Sequence, residues 1–540
     1  ARPRRGGAPP PPPPTALTVT LAAAPPPPAG PPPRRHTQDV LARVQERLRA
    51  QTATDGPLVF VTRHAMAVTG EETPDPAGAA IWGLVRAVLA EHPGQFALVD
   101  TDGTEESRAA LRTLDVSGEP QSAVRGGVLH IPRLVVARAT AAGRPKWDPR
   151  GTVLLTGATG ALGELVARHL VTEHGVRNLL LLSRRGPQAP GAAELAQELT
   201  ALGAAVTQAP CDVSDRAALA EQLARIPGTA PLTAVVHLAG VLDDAASDSM
   251  TPSQLDRVLG PKADAAWHLH ELTAGTELSA FVLYSSVVGT LGNAGQANYA
   301  AANAFLDALA AGRKAAGLPA LALAWGPWEV GMAGKLAETD LRRFRRNGMV
   351  PLSAKQGVDL FDAALARHEA SLVPVVLDRT AIEQQDSPPV LLRGMVEPRA
   401  ERVEEDAVPP VLKRLAGLDR ADQVDELRAL LLSTAAVVLG YPDADDIDAD
   451  MSFQEIGFDS LSGVEFRNHV KQDTRIQIPP TVIYNYPTPA ALAERLWELL
   501  FAPDAQDGEQ RDDEDAAAEE AEEELDSMDA ADLIERVFSE

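Results

Sequence analysis

The segment TGATGALG at positions 156–163 restricts the fold more than any other stretch of the chain. It follows the apolar run TVLLT and leads into the helical pattern ALGELVARHLV, so Gly157, Gly160 and Gly163 fall at a strand-to-helix turn. Glycine allows that turn to be tight and lets backbone amides approach a pyrophosphate, whose charge is favoured at the N-terminus of the next helix. The turn predicts a cofactor cradle that includes Gly157, Thr159, Gly160, Leu162 and Gly163. Further apolar runs follow at strand length, among them NLLLLS, AVVHLAG, AFVLYSS and ALALAWG, with helical patterns between them. Their near-continuous apolar content is that of strands covered on both faces. An α/β, doubly wound parallel sheet over residues 149–383 is the expected result.

Residues 1–148 carry a second alternation of strand and helix without any glycine fingerprint. It starts with a proline-rich stretch whose one apolar island, TALTVTL, is at best an edge strand. Residues 384–420 are polar and proline-bearing, as in a linker. Residues 421–502 give three helical patterns, a small bundle. The formal net charge is −26, and about seventeen acidic against two basic residues follow position 502. That acidic stretch, 503–540, cannot bury enough apolar area to order by itself and regains a helical pattern only in LDSMDAADLIERVF.

The composition narrows the function classes. No basic cluster exceeds RRFRR at 342–346, so nucleic acid is not an expected partner. The single cysteine, Cys211, excludes an internal disulfide and fits a reducing cytoplasm. No run of eighteen apolar residues and no signal peptide is present, so neither a membrane nor export is expected. The chain reads as a fragment of something longer. No metal site is expected.

The second strand of the glycine-bearing unit ends in SRRG. Ser183, Arg184 and Arg185 offer donors and positive charge where a cofactor with a free ribose 2′-hydroxyl would meet a carboxylate, which favours NADPH over NADH. Asp212 and Val213, after the third strand, are placed to meet adenine, although Asp212 could equally cap the following helix. Ser286 ends a strand and Tyr299 opens a helix, so both reach the carboxyl end of the sheet. A tyrosine with an ordinary pKa near 10 needs a nearby cation to donate a proton efficiently at neutral pH. The usual place for one, four residues later, holds Asn303.

The motifs TGATGALG, HLAGVLDD, GPKADAAWHLH, YSSVVGTLGNAGQANYAAANAFLDALA and LAWGPW together resemble the ketoreductases of modular type I polyketide synthases, relatives of the short-chain dehydrogenases with a Rossmann sheet. In that family lysine and asparagine have exchanged places, which makes Lys262 the active-site lysine. The resemblance implies hydride transfer from NADPH to a 3-oxoacyl thioester, with Tyr299 as proton donor, Ser286 as its partner on the carbonyl oxygen, Lys262 stabilising the phenolate and Asn303 orienting Lys262. Ala239 and Gly240 would complete the cofactor site. Val241 to Asp244 resemble the loop of B-type enzymes, which give the D-(3R) alcohol; Leu242, Asp243, Asp244 and Leu291 are therefore assigned to stereocontrol. The alternative for Asp243 and Asp244 is a helix cap. Residues 1–148 are similar to the family's degenerate structural subdomain.

EIGFDSLSGVEFRNHV places Ser460 at the start of an amphipathic helix carrying Leu461, Val464 and Phe466. A helix N-terminus favours a phosphodiester, and the sequence looks like an acyl carrier protein with 4′-phosphopantetheine on Ser460. The last helix, with Met528, Leu533, Ile534, Val537 and Phe538, resembles a docking segment. The implied partners are an acyl thioester, upstream ketosynthase and acyltransferase domains, a downstream synthase polypeptide, and a second copy in a homodimeric module. Two other readings are a nucleotide-sugar epimerase, which would normally retain lysine four residues after the tyrosine, and a silent reductase serving as carrier and docking scaffold.

Overall fold

The computed structural model describes residues 18–20, 34–49, 56–70, 72–116, 118–137, 147–331, 344–345, 348–383, 385, 388–395, 409–439 and most of 441–501. The acidic linker and docking helix expected over 503–540 lie outside the described residues. The chain divides into two compact units, 1–403 and 404–540.

Among its described residues the first unit contains two main sheets and a short two-stranded pair. The N-terminal one runs through β1 (Thr18–Thr20), α1 (Arg34–Arg49), β2 (Leu58–Arg63), α2 (Pro76–Glu91), β3 (Phe96–Thr101), α3 (Glu105–Leu111), β4 (Gln121–Arg125) and β5 (Val128–His130). Its order is β1-β2-β3-β4-β5, parallel except for the β4-β5 pair. The proline-flanked island contributes only β1, at the edge, where the missing amide donors of proline do least harm. α2 starts cleanly because Asp75 accepts from Ala77 and Gly78 N–H and Pro76 occupies the first turn.

The part of the unit around the second sheet runs through β6 (Thr152–Thr156), α4 (Ala161–Thr172), β7 (Asn178–Ser183), α5 (Ala192–Ala201), β8 (Ala205–Pro210), α6 (Arg216–Ala224), β9 (Leu232–His237), α7 (Pro252–Leu259), α8 (Ala265–Leu272), β10 (Ala280–Ser286), α9 (Val287–Leu291), α10 (Ala297–Ala315), β11 (Leu321–Trp325), β12 (Met349–Val350), α11 (Ala354–Leu365), β13 (Ser371–Leu372) and β14 (Val376–Leu377). Seven strands lie in the order β13-β11-β10-β9-β6-β7-β8, every pairing parallel. The order reverses between β6 and β9. Connections there leave to opposite faces and open a crevice at the carboxyl edge of the sheet, the ligand position of doubly wound folds. β12 and β14 form a separate antiparallel pair. Asp362 of α11 accepts hydrogen bonds from the Nε2 atoms of both His169 and His174, at 2.9 and 2.8 Å, and ties α11 to the end of α4.

One core joins the two sheets. Val40, Trp82, Leu84 and Val88 of the N-terminal part pack in the same cluster as Leu283, Phe305 and Leu306. α2 meets α10 and the end of α9 at backbone distance: a Cβ at Gly83 would stand 2.2 Å from the Ala300 carbonyl oxygen of α10, and one at Gly292, the C-cap of α9, 2.4 Å from that of Arg86. This contact explains why α2 is buried along most of its length.

The second unit is a helical bundle, with long helices Arg420–Leu439, Ser460–Thr474 and Pro489–Phe501. Leu427, Leu431, Phe453, Phe466 and Leu496 form its core. The segment 384–420 is not linker throughout. Leu391 and Leu392 are buried and Leu391 O accepts from Leu134 N–H in the first unit, while Val411 and Leu415 belong to the bundle's core. These apolar residues lie too close to proline for a periodic pattern to stand out. Among the described residues no helix is long and apolar enough to cross a membrane.

In an isolated helix Gly→Ala gains roughly 1 kcal/mol. At Gly83 the sign should reverse, because the added carbon overlaps a carbonyl oxygen and overpacking costs about 1–3 kcal/mol. Thermal unfolding of Gly83→Ala should show a lowered midpoint for the first unit.

Candidate active site

The β6–α4 turn shows why it needs glycine. Gly157 has φ +67°, and a Cβ there would lie 2.9 Å from Ala239 N. A Cβ at Gly163 would lie 2.5 Å from Gly157 O, so the third glycine lets α4 start directly above the turn. Gly160 is the N-cap of α4 and offers no side-chain acceptor, leaving the first amides of the helix for a ligand. A cleft of about 310 Å³ opens over this turn, lined by Gly157, Thr159, Gly160, Leu162, Gly163, Ser183, Arg184, Arg185, Asp212, Val213, Ala239 and Gly240. All twelve residues expected from the sequence thus border one cavity. Ser183 Oγ is buried without a hydrogen-bond partner, and Arg184 and Arg185 are exposed beside it. An unpaired hydroxyl flanked by two guanidinium groups is a donor set suited to a phosphate ester. The cradle and these donors fit a phosphorylated dinucleotide.

Asp212 does not cap α6. That role falls to Asp215, which accepts from Ala217 and Ala218 N–H, whereas Asp212 accepts from Ser214 N–H and Oγ at 3.0 and 2.6 Å. Cys211 is buried, and burial pushes its thiol up to about 11.

Next to this cleft lies a second one of about 110 Å³, bordered by Leu242, Lys262, Ser286, Gln296 and Tyr299 together with Tyr284, Trp325 and Trp328. Ser286 ends β10 and caps α9, accepting from Val288 N–H at 3.3 Å. Tyr299 stands in the first turn of α10, with Asn303 one turn later on the same face. Lys262 comes from elsewhere. It sits in a π-helical turn, Gly260–Asp264, between α7 and α8, a rare local geometry that often marks functional positions. Its Nζ donates to Tyr284 O at 3.0 Å and lies 5.2 Å from the centre of the Tyr299 ring. Asn303 Nδ2 donates to Tyr299 O at 2.7 Å, and its Oδ1 is buried without a partner.

A chain of hydrogen bonds holds the lysine turn. His237 Nε2 lies 3.0 Å from Lys262 O, and its Nδ1 lies 2.7 Å from Thr156 Oγ1. A carbonyl can only accept, so Nε2 carries the proton and Nδ1 accepts from the threonine. Burial, with the Lys262 charge adding to it, pulls His237 down to about 3, and the imidazole stays neutral.

Burial depresses Lys262 to about 8 while the Asp307 charge opposes it. Burial raises Tyr299 to about 12; Asn303 and Ser286 hydrogen bonding opposes this and the Asp244 charge adds to it. The order of the two values matters. Near neutral pH the lysine carries its proton and so does the phenol, which is the pair a proton donor requires. An ammonium held 5.2 Å from the ring centre is a charge of the sign that favours a phenolate nearby.

The structure separates the four stereocontrol positions. Leu242 borders the smaller cleft, whereas Asp243, Asp244 and Leu291 do not. Asp243 is ion-paired with Arg257, and Asp244 accepts from Gln296 Nε2 at 2.7 Å. Neither caps α7, whose capping box is Thr251 with Gln254.

Sequence reasoning missed several groups. Asp307, one turn beyond Asn303, is driven by burial up to about 7, against the hydrogen bond of Ser285 and the charges of Arg86 and Lys262. The spacing Tyr299, Asn303, Asp307 was a usable signal, since steps of four keep one helix face. His237 and Gln296 had no comparable signal.

In the second unit Ser460 opens the helix Ser460–Thr474, whose Val464, Phe466 and Val470 are buried.

Comparison with known proteins agrees with this arrangement. Residues 151–330 match the model of the KR domain, residues 4–134 that of the Rossmann fold domain of the polyketide synthase extender module SpnB, and residues 429–496 that of the phosphopantetheine attachment site. The spectinabilin polyketide synthase system protein NorA' of Streptomyces orinoci is 47% identical over 453 residues, 82% of this chain and 12% of that protein. Polyketide synthase GfsA of Streptomyces halstedii is 46% identical over 478 residues, 86% of this chain and 6% of that protein. The chain thus spans only a small part of these relatives. Among solved structures, the first ketoreductase of the tylosin synthase is 41% identical with a TM-score of 0.58, covering 67% of this chain and 77% of that one. The ketoreductase from the first module of phoslactomycin biosynthesis in Streptomyces sp. HK803 is 35% identical with a TM-score of 0.61, covering 70% and 87%. With its glycine cradle, its distant lysine and its second, helical unit, the chain belongs to the modular polyketide synthases and carries a ketoreductase domain and a phosphopantetheine-attachment domain.

Proposed function

We propose that the first unit uses NADPH to reduce a 3-oxoacyl thioester to the D-(3R)-hydroxyacyl thioester, and that the second unit carries the acyl chain on 4′-phosphopantetheine attached to Ser460. The observation that carries the reading is the buried Lys262 ammonium group 5.2 Å from the centre of the Tyr299 ring, where the tyrosine's own helix has Asn303 one turn on. Gly157, Thr159, Gly160, Leu162 and Gly163 hold the pyrophosphate and Ser183, Arg184 and Arg185 the 2′-phosphate, with Asp212, Val213, Ala239 and Gly240 closing the cofactor cleft. NADPH supplies the hydride when bound. Ser286 and Tyr299 hydrogen-bond the β-carbonyl oxygen, and Tyr299 gives that oxygen its proton as the charge develops. Lys262 stabilises the phenolate left behind, and Asn303 holds the lysine and a water in line. Leu242, Asp243, Asp244 and Leu291 select the face of the ketone, the last because a tryptophan is lacking there. The intact module works as a homodimer in the cytoplasm, receives its substrate from ketosynthase and acyltransferase domains and hands the product on through the C-terminal docking helix.

Incubation with NADPH and a 3-oxoacyl N-acetylcysteamine thioester should consume cofactor, followed at 340 nm, and give the (3R) alcohol on a chiral column. Absence of consumption would favour a carrier and docking scaffold.

Tyr299→Phe should lower reduction by about 10²–10⁴-fold and leave phosphopantetheine loading intact. Ser460→Ala should leave thioester reduction intact and gain no phosphopantetheine mass.

The pH profile has a definite sign. Lys262 keeps its proton below about 8 and loses it above, while Tyr299 remains protonated through this range. kcat/KM for reduction should therefore fall as pH rises through about 8, approaching a tenfold loss per pH unit. A rise with pH would contradict the role given to Lys262.

Replacing Arg184 and Arg185 with alanine should raise KM for NADPH about tenfold or more with little change for NADH.

A further inference from the structure

The N-terminal sheet has no cofactor cradle, yet one of its carboxylates reaches into the machinery of the other sheet. Glu91, the last residue of α2, is fully buried. Its Oε2 accepts from Ser247 N–H and its Oε1 from Gly295 N–H, both at 2.8 Å. Ser247 lies three residues after Asp244, and Gly295 lies four residues before Tyr299. The two segments also touch each other directly. Ala245 N–H donates to Gly295 O at 2.9 Å, and Ala245 and Gln296 form an isolated parallel bridge. Gln296 donates to Asp244, and Asn298 Nδ2 donates to Asp243 O at 2.7 Å. From α1, Gln45 Nε2 adds bonds to Ser247 O and Met250 O at 3.0 and 2.8 Å.

Burying a carboxylate is costly, and hydrogen bonds from backbone amides are the compensation. Here both oxygens are used on loops that belong to different connections of the catalytic sheet, β9–α7 and α9–α10. Fixing one against the other sets where Leu242 and the Asp243–Asp244 pair stand relative to the Tyr299 hydroxyl, the distance on which choice of carbonyl face depends. Resting on the reduction assigned above, we propose that Glu91 is a positioning residue that clamps the Asp243–Asp244 loop to the segment delivering Tyr299, and that it helps set both rate and stereochemical outcome.

Glu91→Gln is the discriminating variant. It keeps the shape but replaces one acceptor with an N–H₂ group, which would face a backbone N–H donor. In the full chain, with a racemic 2-methyl-3-oxoacyl N-acetylcysteamine thioester and NADPH, kcat should fall about tenfold or more, since small misplacements of reacting groups are expensive. KM for NADPH should stay within about twofold because the 310 Å³ cleft contains no Glu91 contact. The ratio of product diastereomers should be eroded about fivefold or more, and Glu91→Asp should fall between parent and Gln. A purely structural role would reduce the amount of active protein and leave that ratio alone. If Glu91→Gln keeps kcat and product ratio within about twofold of the parent, the proposal is overturned while the reductase reading stands. If the parent itself consumes no NADPH, the reductase reading fails first and takes this proposal with it. Should Glu91→Gln not fold, hydrogen exchange in the parent decides: Ser247 and Gly295 amides protected like those of β9 and β10 support the clamp, and exchange at the rate of exposed loops overturns it.

Discussion

A single buried cation beside a buried phenol makes demands on everything around it. An ammonium removed from water tends to shed its proton, and a phenol removed from water tends to keep its own. In this protein burial pushes Lys262 and Tyr299 in those directions, to about 8 and about 12. The shifts are tolerable because they stop short of neutralising the lysine at pH 7. The Asp307 charge opposes the fall of Lys262, and Tyr284 O accepts a hydrogen bond from its ammonium group. A slightly drier site would leave a neutral amine beside the phenol and nothing to stabilise a phenolate.

The lysine must also be held in place, since a flexible four-carbon stem has many other positions. Two features do this. The π-helical turn Gly260–Asp264 shifts the register between α7 and α8 and so aims the side chain. The neutral imidazole of His237 anchors the same turn through Lys262 O and is itself oriented by Thr156, the last residue of β6. Thr156 Oγ1 further accepts from Leu238 and Ala239 N–H, at 3.2 and 3.3 Å. Position 156 therefore connects the start of the glycine turn, the wall of the larger cleft and the lysine that lies against the Tyr299 ring.

What the sequence disclosed followed from local rules. Gly157, Gly160 and Gly163 were readable because a turn between strand and helix has few solutions, and at Gly157 and Gly163 there is no room for a side chain. Tyr299 and Asn303 were readable from helical spacing, and Ser286 from its place at a strand end. Lys262 lies 37 positions before Tyr299, so no spacing rule connects them, and only the family resemblance pointed to it. Glu91 and His237 belong to a different class. Each is a buried polar group whose significance lies in a partner far away in sequence, 156 and 204 residues away for Glu91, and a single sequence holds no trace of that pairing. Asp243 and Asp244 show the limit from the other side. They were recognisable as a motif, but their partners Arg257 and Gln296 came only with the fold.

The degenerate N-terminal sheet then has a physical reason to persist without a cofactor. A doubly wound sheet presents its ligands on loops, and loops beyond strand ends are the least rigid part of such a fold. The stereochemical choice proposed above would require two of those loops to keep a fixed separation. A helix such as α2, locked to α10 by glycine contacts that admit no side chain, brings a rigid frame from outside the sheet. Its last carboxylate can hold two loops that the sheet alone would leave to their own fluctuations. On this view the first sheet needs no phosphate-binding turn, because the work proposed for it is mechanical. In the reading proposed above a tethered substrate sharpens the requirement: attachment to a carrier would raise local concentration to roughly millimolar, so either face of a ketone would meet the site often, and selection would have to come from geometry rather than from binding.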